Sequence, residues 1–369
     1  MKSRILFCGL SALALMSVSA SAGLQKQQQD RVEVAFVLDT TGSMADLIDG
    51  AKRKIWSIAS TIVDNNPDAD IAMALVAYRD RGDDYVVKTI DMSEDLQGLY
   101  GKLIKLEADG GDDTPESVNE ALDNAVGDLK WSSGDHVKRI IFLVGDAPPH
   151  MDYEQEKQYP RIIKEARDRD IIVNTVQAGD MIETTPIWKE IAQFGHGRYM
   201  AIPQSGGDVV VIVSPYDDEI LELQGELDRT VIPYGSDEQK SEINSKLETR
   251  KMAAPSTQLE NSEFYAKRKA KKEVVTGRGD LLNDARSGSL DVGMMKDEEL
   301  PEELKQLSGE ARGQWVKDKL AVRSKIEERM ADLVAKREIF VATERTKKKG
   351  VATDSFDQAV EETLKVQLQ

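Results

Sequence analysis

The chain has 369 residues, a formal net charge of −17, one cysteine and 40% hydrophobic residues. This acidity disfavours nucleic acid as a partner, and a single cysteine leaves no internal disulfide framework, so stability must come from a packed core. The length suits about two domains at the ordinary ~100–200 residues each.

Residues 1–22 read as a secretory leader: Lys2 and Arg4, an apolar run over 5–16, then Ala20-Ser21-Ala22 before Gly23. The apolar run is shorter than the roughly 20 residues that span a bilayer, so cleavage is expected rather than anchoring. The expected product is an exported protein, periplasmic or secreted, which loses Cys8 with the leader. No later stretch is apolar enough to cross a membrane.

From Arg31 to about Gln204, short β-branched runs alternate with longer helical patterns, the signature of a parallel sheet covered on both faces. Strands are predicted over 32–38, 71–78, 85–90, 139–144, 171–177 and 198–202. The helix after the first strand keeps Leu47, Ile48, Ala51, Ile55, Ile58, Ala59 and Ile62 at spacings of three and four and ends near Asn65-Asn66-Pro67. Further helices are predicted over 96–106, 115–129, 159–168 and 186–194. The 85–90 run closely follows Arg81-Gly82-Asp83-Asp84 and can hairpin back as an antiparallel edge strand. The expected fold is α/β, a doubly wound, Rossmann-like, mostly parallel six-stranded sheet over residues 31–228.

After Asp228 the β-branched runs fade and charged helical text takes over, so 229–369 is expected to be mainly α-helical. Helices are predicted over 300–307 and 310–346. In the longer one Trp315, Leu320, Ile326, Met330, Leu333 and Ile339 are too irregularly spaced for a coiled coil.

The chemistry concentrates at strand ends. The first strand runs into Asp39-Thr40-Thr41-Gly42-Ser43, placing an acid and two hydroxyls where doubly wound sheets bind ligands. The run 140–145 delivers Asp146 in the same way. A glycine-rich loop, Asp109-Gly110-Gly111-Asp112-Asp113-Thr114-Pro115-Glu116, opens another helix at the same crevice. These are hard oxygen donors, suited to a divalent cation.

Asp39-x-Thr41-x-Ser43, the Gly110-Gly111 loop and strand-end Asp146 together resemble the metal-ion-dependent adhesion site of von Willebrand factor A domains. The likeness covers about 32–202. The resemblance implies Mg²⁺, or Mn²⁺ or Ca²⁺, held by Asp39, Thr41, Ser43 and Asp146. It also implies an open coordination position for an acidic side chain of a protein partner, and binding rather than turnover, as in exported bacterial members. Thr41 stands where many members have serine. In the loop, Asp112 or Asp113 falls where threonine is usual, while Glu116 fits the integrin β-subunit version, so Asp112, Asp113, Thr114 and Glu116 all remain open as the loop ligand.

Other readings of these residues are plainer. Ser43 with Asp46, and Thr114 before Pro115, are also helix-capping patterns. The two Arg-Gly-Asp triplets, at Arg81 and Arg278, read as turns, and the basic run at 267–272 reads as a solvated helix face. His136, His150 and His196 lack zinc spacing, with only His150 near the crevice. An aspartate-nucleophile phosphatase would need an acid where Thr41 stands, and neither a Gly-x-Ser-x-Gly elbow nor a Walker A loop is present. A structural role, with the C-terminal helices binding the partner, is the remaining alternative.

Overall fold

The computed structural model describes residues 30–111, 114–207, 211–268, 273–275, 277–347 and 356–369. The leader, Asp112, Asp113 and most of the 267–272 basic run lie outside the described residues. The α/β part runs β1 (Arg31–Asp39), α1 (Ala45–Asn65), β2 (Asp70–Tyr78), β3 (Val87–Ser93), α2 (Leu96–Leu103), α3 (Val118–Gly127), β4 (Val137–Gly145), α4 (Tyr159–Asp168), β5 (Ile171–Ala178), α5 (Thr184–Phe194) and β6 (His196–Ile202). The six strands lie in the order β3-β2-β1-β4-β5-β6, all parallel except β3, which pairs antiparallel with β2. The antiparallel edge strand follows from the short connection at Arg81–Asp84, too brief for a crossover.

The central strands are apolar at nearly every position because both sheet faces are covered. Val34, Phe36 and Leu38 of β1 and Ile140, Phe142 and Val144 of β4 enter the core beneath α1 and α2. Their neighbours Ala35, Val37, Ile141 and Leu143 enter the opposite core with α3, α4 and Trp188 of α5. The predicted helix over 115–129 starts later, at Val118 with Ser117 in the N-cap position, so Thr114 does not cap it.

The remaining helices are α6 (Asp217–Thr230), α7 (Asp237–Met252), α8 (Pro255–Lys267), α9 (Leu281–Arg286), α10 (Glu302–Lys305), α11 (Gly309–Lys347) and α12 (Phe356–Gln367). No helix among the described residues is long and apolar enough to cross a membrane. Part of this helical region is built into the α/β core: Phe264 and Tyr265 of α8 pack with Trp56 of α1. Phe356, Val360 and Leu364 of α12 join the same core, with Phe356 edge-on to Phe36 at 6.3 Å. Gln367 and Asn174 exchange side-chain amide hydrogen bonds at 2.8 and 3.1 Å. The face of α11 explains its irregular pattern, since arginines alternate with apolar residues: Arg312, Arg323 and Arg337 are buried beside Val316, Met330 and Leu333.

Phe356→Ala is expected to cost roughly 3–5 kcal/mol, the usual price of emptying a buried phenylalanine site. Urea unfolding followed by circular dichroism measures it, and an unchanged midpoint would mean that α12 is not docked in solution.

Candidate metal centre

The parallel arrangement brings the carboxyl ends of β1, β2, β4 and β5 to one edge of the sheet, and β1 lies between β2 and β4. Its last residue, Asp39, is fully buried. Asp39 Oδ1 accepts hydrogen bonds from the Thr41 amide at 2.9 Å and the Thr41 hydroxyl at 2.7 Å, an Asx-type turn that folds Thr41 back onto the acid. Thr41 Oγ1 lies 3.3 Å from Ser43 Oγ. Neither hydroxyl caps a helix: the short turn Gly42–Met44 and α1 both start without a side-chain cap. The motif therefore gathers Asp39, Thr41 and Ser43 as the spacing suggested.

Asp146 follows β4. Its Oδ2 accepts from Gln204 Nε2 at 2.7 Å, while Thr184 Oγ1 donates to its main-chain carbonyl at 2.8 Å. Gln204 also donates to the Ser43 carbonyl at 3.2 Å, tying the segment after β6 to both halves of the site. Gly145 lets β4 approach β1: a Cβ there would lie 3.0 Å from Asp39 Cβ and collide with the Tyr78 hydroxyl.

The glycine-rich loop is held against the first turn. Gly42 N donates to Gly110 O and Asp109 N to Thr40 O, both at 3.1 Å. Gly111 has φ +78°, and a Cβ at that position would lie 2.7 Å from Thr41 Cβ. Gly111→Ala is accordingly expected to displace Thr41 and to weaken cation binding beyond its backbone strain of roughly 1–3 kcal/mol; a calorimetric Mn²⁺ titration identical to wild type would contradict this.

Among the loop candidates, Glu116 is buried and pinned by its backbone, donating to Pro148 O at 2.9 Å and accepting from His150 N at 3.0 Å. Thr114 is exposed. Asp112 and Asp113 lie outside the described residues.

The electrostatics are those of anions held in a dry place. Burial first, and then Asp146, pushes the Asp39 carboxyl up to about 7, against the pull of the Thr41 hydrogen bonds. Burial first, and then Asp39, Asp80, Asp83 and Asp146, pushes Glu116 to about 9. Asp39 Oδ2 and Glu116 Oε2 have no hydrogen-bond partner. A buried carboxylate oxygen with no donor is costly unless a proton or cation satisfies it. No group of three or more His, Cys, Asp or Glu side chains poised to hold an ion occurs among the described residues.

Four further residues around the site were not among the candidates. Tyr78 ends β2 beneath the acids, and its hydroxyl is pushed well above its usual range by burial and then by Asp39, Glu116 and Asp146. Asp80 accepts from Ser117 Oγ at 2.7 Å and Tyr153 Oη at 2.9 Å, and His150 Nε2 lies 3.3 Å from it. Asp83 accepts from Asp80 N at 3.2 Å. Both aspartates were discoverable by the same strand-end rule. Gln204 was not, because a loop amide leaves no pattern.

The family model described as von Willebrand factor A domain matches residues 33–214, the span that contains the sheet and all of these loops. This part of the chain is a von Willebrand factor A domain. Such domains are in general protein-interaction modules. A curated relative, an ariadne-like RING finger protein of Acanthamoeba polyphaga mimivirus, is 26% identical over 151 residues, 41% of this chain. The chain spans only 14% of that relative's length.

Solved structures similar to the domain include the SpRpn10 VWA domain, at 12% identity and TM-score 0.36, with 48% of this chain and 89% of that one covered. An aerotolerance-related membrane protein from Bacteroides fragilis matches at 18% identity and TM-score 0.32, over 48% and 92%. Proximal thread matrix protein 1 of the mussel byssus matches at 15% and 0.34, over 48% and 42%.

Proposed function

We propose that this von Willebrand factor A domain binds a protein partner through a divalent cation, Mg²⁺ or else Mn²⁺ or Ca²⁺. Asp39, Thr41, Ser43 and Asp146 would hold the ion, and Glu116 or one of Asp112, Asp113 and Thr114 would contribute from the loop. The observation that carries the reading is the fully buried Asp39 Oδ2, without a donor, beside two uncapped hydroxyls and a second acid. These are hard oxygen donors, and the bound ion would offer a coordination position to a partner carboxylate. Asp39 and Thr41 fix the turn, Gln204 orients Asp146, and Gly111 keeps the loop close enough to close the site.

Calorimetric titration of the full chain with Mg²⁺, Mn²⁺ and Ca²⁺ tests this. Saturable binding that disappears in Asp39→Ala is expected, together with loss of partner binding in chelator. Absence of binding by all three ions would sink the proposal. The reading extends to export: N-terminal sequencing of the protein from its native host is expected to begin at Gly23, and a start at Met1 would contradict it.

A further inference from the structure

The surface around the proposed ion has a sign of its own. The segments that reach this edge include the turn after β1, residues 79–86 after β2, residues 107–111, residues 146–158 after β4, residues 179–183 after β5 and residues 203–206 after β6. Exposed acids occur on four of them, including Asp84, Asp109, Asp152, Glu154, Asp180 and Glu183. The described lysines and arginines of the same segments are committed elsewhere, and His150 Nδ1 lies 2.8 Å from Asp152. Arg79 is buried and donates to the Thr40 and Glu107 carbonyls at 3.1 and 2.9 Å. Arg81 pairs with Glu120 and Glu156, and Lys157 pairs with Asp123 and Glu165 at 2.5 and 2.8 Å.

A partner carboxylate approaching the ion therefore enters through a ring of like charge. A bound dication attracts it only at close range, whereas the acidic rim repels a uniformly acidic surface during approach. We infer that the partner is a protein segment in which a single carboxylate is flanked by lysine or arginine: the acid is directed to the ion and the basic flanks lie over the Asp152–Glu154 and Asp180–Glu183 loops. This rests on the metal reading above. It adds that charge complementarity at the rim, beyond the ion itself, selects the partner.

Three labelled peptides, titrated into the full chain by fluorescence polarisation, test it: a central aspartate flanked by lysines, the same aspartate flanked by glutamates, and a central asparagine flanked by lysines. In Mg²⁺ at low salt the lysine-flanked aspartate peptide should bind at least roughly tenfold tighter than the glutamate-flanked one. The preference should narrow as salt is raised, because exposed charges are screened. It should also narrow in a variant combining Asp152→Asn, Glu154→Gln and Asp180→Asn, none of which is proposed to touch the ion.

Equal or better binding of the glutamate-flanked peptide overturns the inference. So does equal binding of the asparagine peptide in chelator, which would mean a basic-segment site that ignores the ion. Mn²⁺ titrated alone separates the two readings. If Mn²⁺ fails to bind, the metal proposal falls and takes this one with it; if Mn²⁺ binds and no peptide discriminates, only the rim inference falls.

Discussion

Divalent cations are expected to raise the unfolding temperature of the wild-type chain, and Asp39→Asn to abolish that rise while making the metal-free protein more stable at pH 8. Both effects come from one fully buried carboxyl group. Asparagine keeps an oxygen to accept the Thr41 amide and hydroxyl, which bond Asp39 at 2.9 and 2.7 Å, but it carries no charge. In the metal-free domain the Asp39 carboxyl is raised from its ordinary value to about 7 by burial and by Asp146. The native state therefore holds a proton that the unfolded chain releases between about pH 4 and 7. Stability from this group is highest below pH 4, falls as pH rises through that window and stays low above it, by on the order of a few kcal/mol.

A cation bound as proposed would reverse this, adding about 2.7 kcal/mol when its free concentration is a hundred times its dissociation constant. Thermal unfolding of both proteins from pH 4 to 8, in chelator and in excess Mg²⁺ or Mn²⁺, reads all of these outcomes. Wild type should lose more stability with rising pH in chelator than in excess ion, and the variant should lack both the slope due to Asp39 and the metal response. A variant that still responds to the ions would remove Asp39 from the site.

Arg323→Met should be the most destabilising single substitution in the helical region, at roughly 3–5 kcal/mol, because it strands a buried charge. Arg323 and Asp280 are 0% and 1% exposed and meet at 2.6 Å. Arg323 also donates to the Thr230 carbonyl at 2.6 Å and its hydroxyl at 2.8 Å. Asp280 in turn caps α9 by accepting from Leu282 N at 3.3 Å and receives Ile232 N at 3.2 Å. One ion pair thus fastens α11 to the end of α6 and the start of α9. Adding Asp280→Asn to the methionine variant should recover part of the loss, since the remaining carboxyl is no longer charged. Urea unfolding of the single and double variants measures the coupling, and a single variant within about 1 kcal/mol of wild type would mean that the pair is solvated.

Asp280 belongs to the second Arg-Gly-Asp triplet. Its carboxylate is consumed inside the fold and is unavailable to a partner.

The sequence alone was enough for the α/β architecture, because strands buried on both faces must be continuously apolar and their crossover helices must be amphipathic. The four inner strands β1, β2, β4 and β5 are visible as such runs, whereas the edge strands β3 and β6 mix polar with apolar residues and are only partly buried; the antiparallel β3 is marked by a connection too short for a crossover. It also placed Asp39, Thr41, Ser43 and Asp146 at one edge, since residues following parallel strands share that edge whatever the loop details. Folding was needed to show which hydroxyls are free of capping, that Glu116 is buried with an oxygen lacking a donor, and that Gln204 holds Asp146. Those facts depend on loops from distant parts of the chain meeting, and a loop leaves no periodicity to read.

The same limit applied after Asp228. Composition there indicates helix, but α8 and α12 dock on the α/β core through a few aromatic residues, and α11 packs through buried arginines. Their partners lie far away in sequence, and although Phe356, Val360 and Leu364 of α12 recur at spacings of four, α8 and α11 show no apolar stripe. Local pattern fixes an element when one face meets a uniform core. Where packing is shared between charged and apolar groups, it is the partner, reached only by folding, that determines the face.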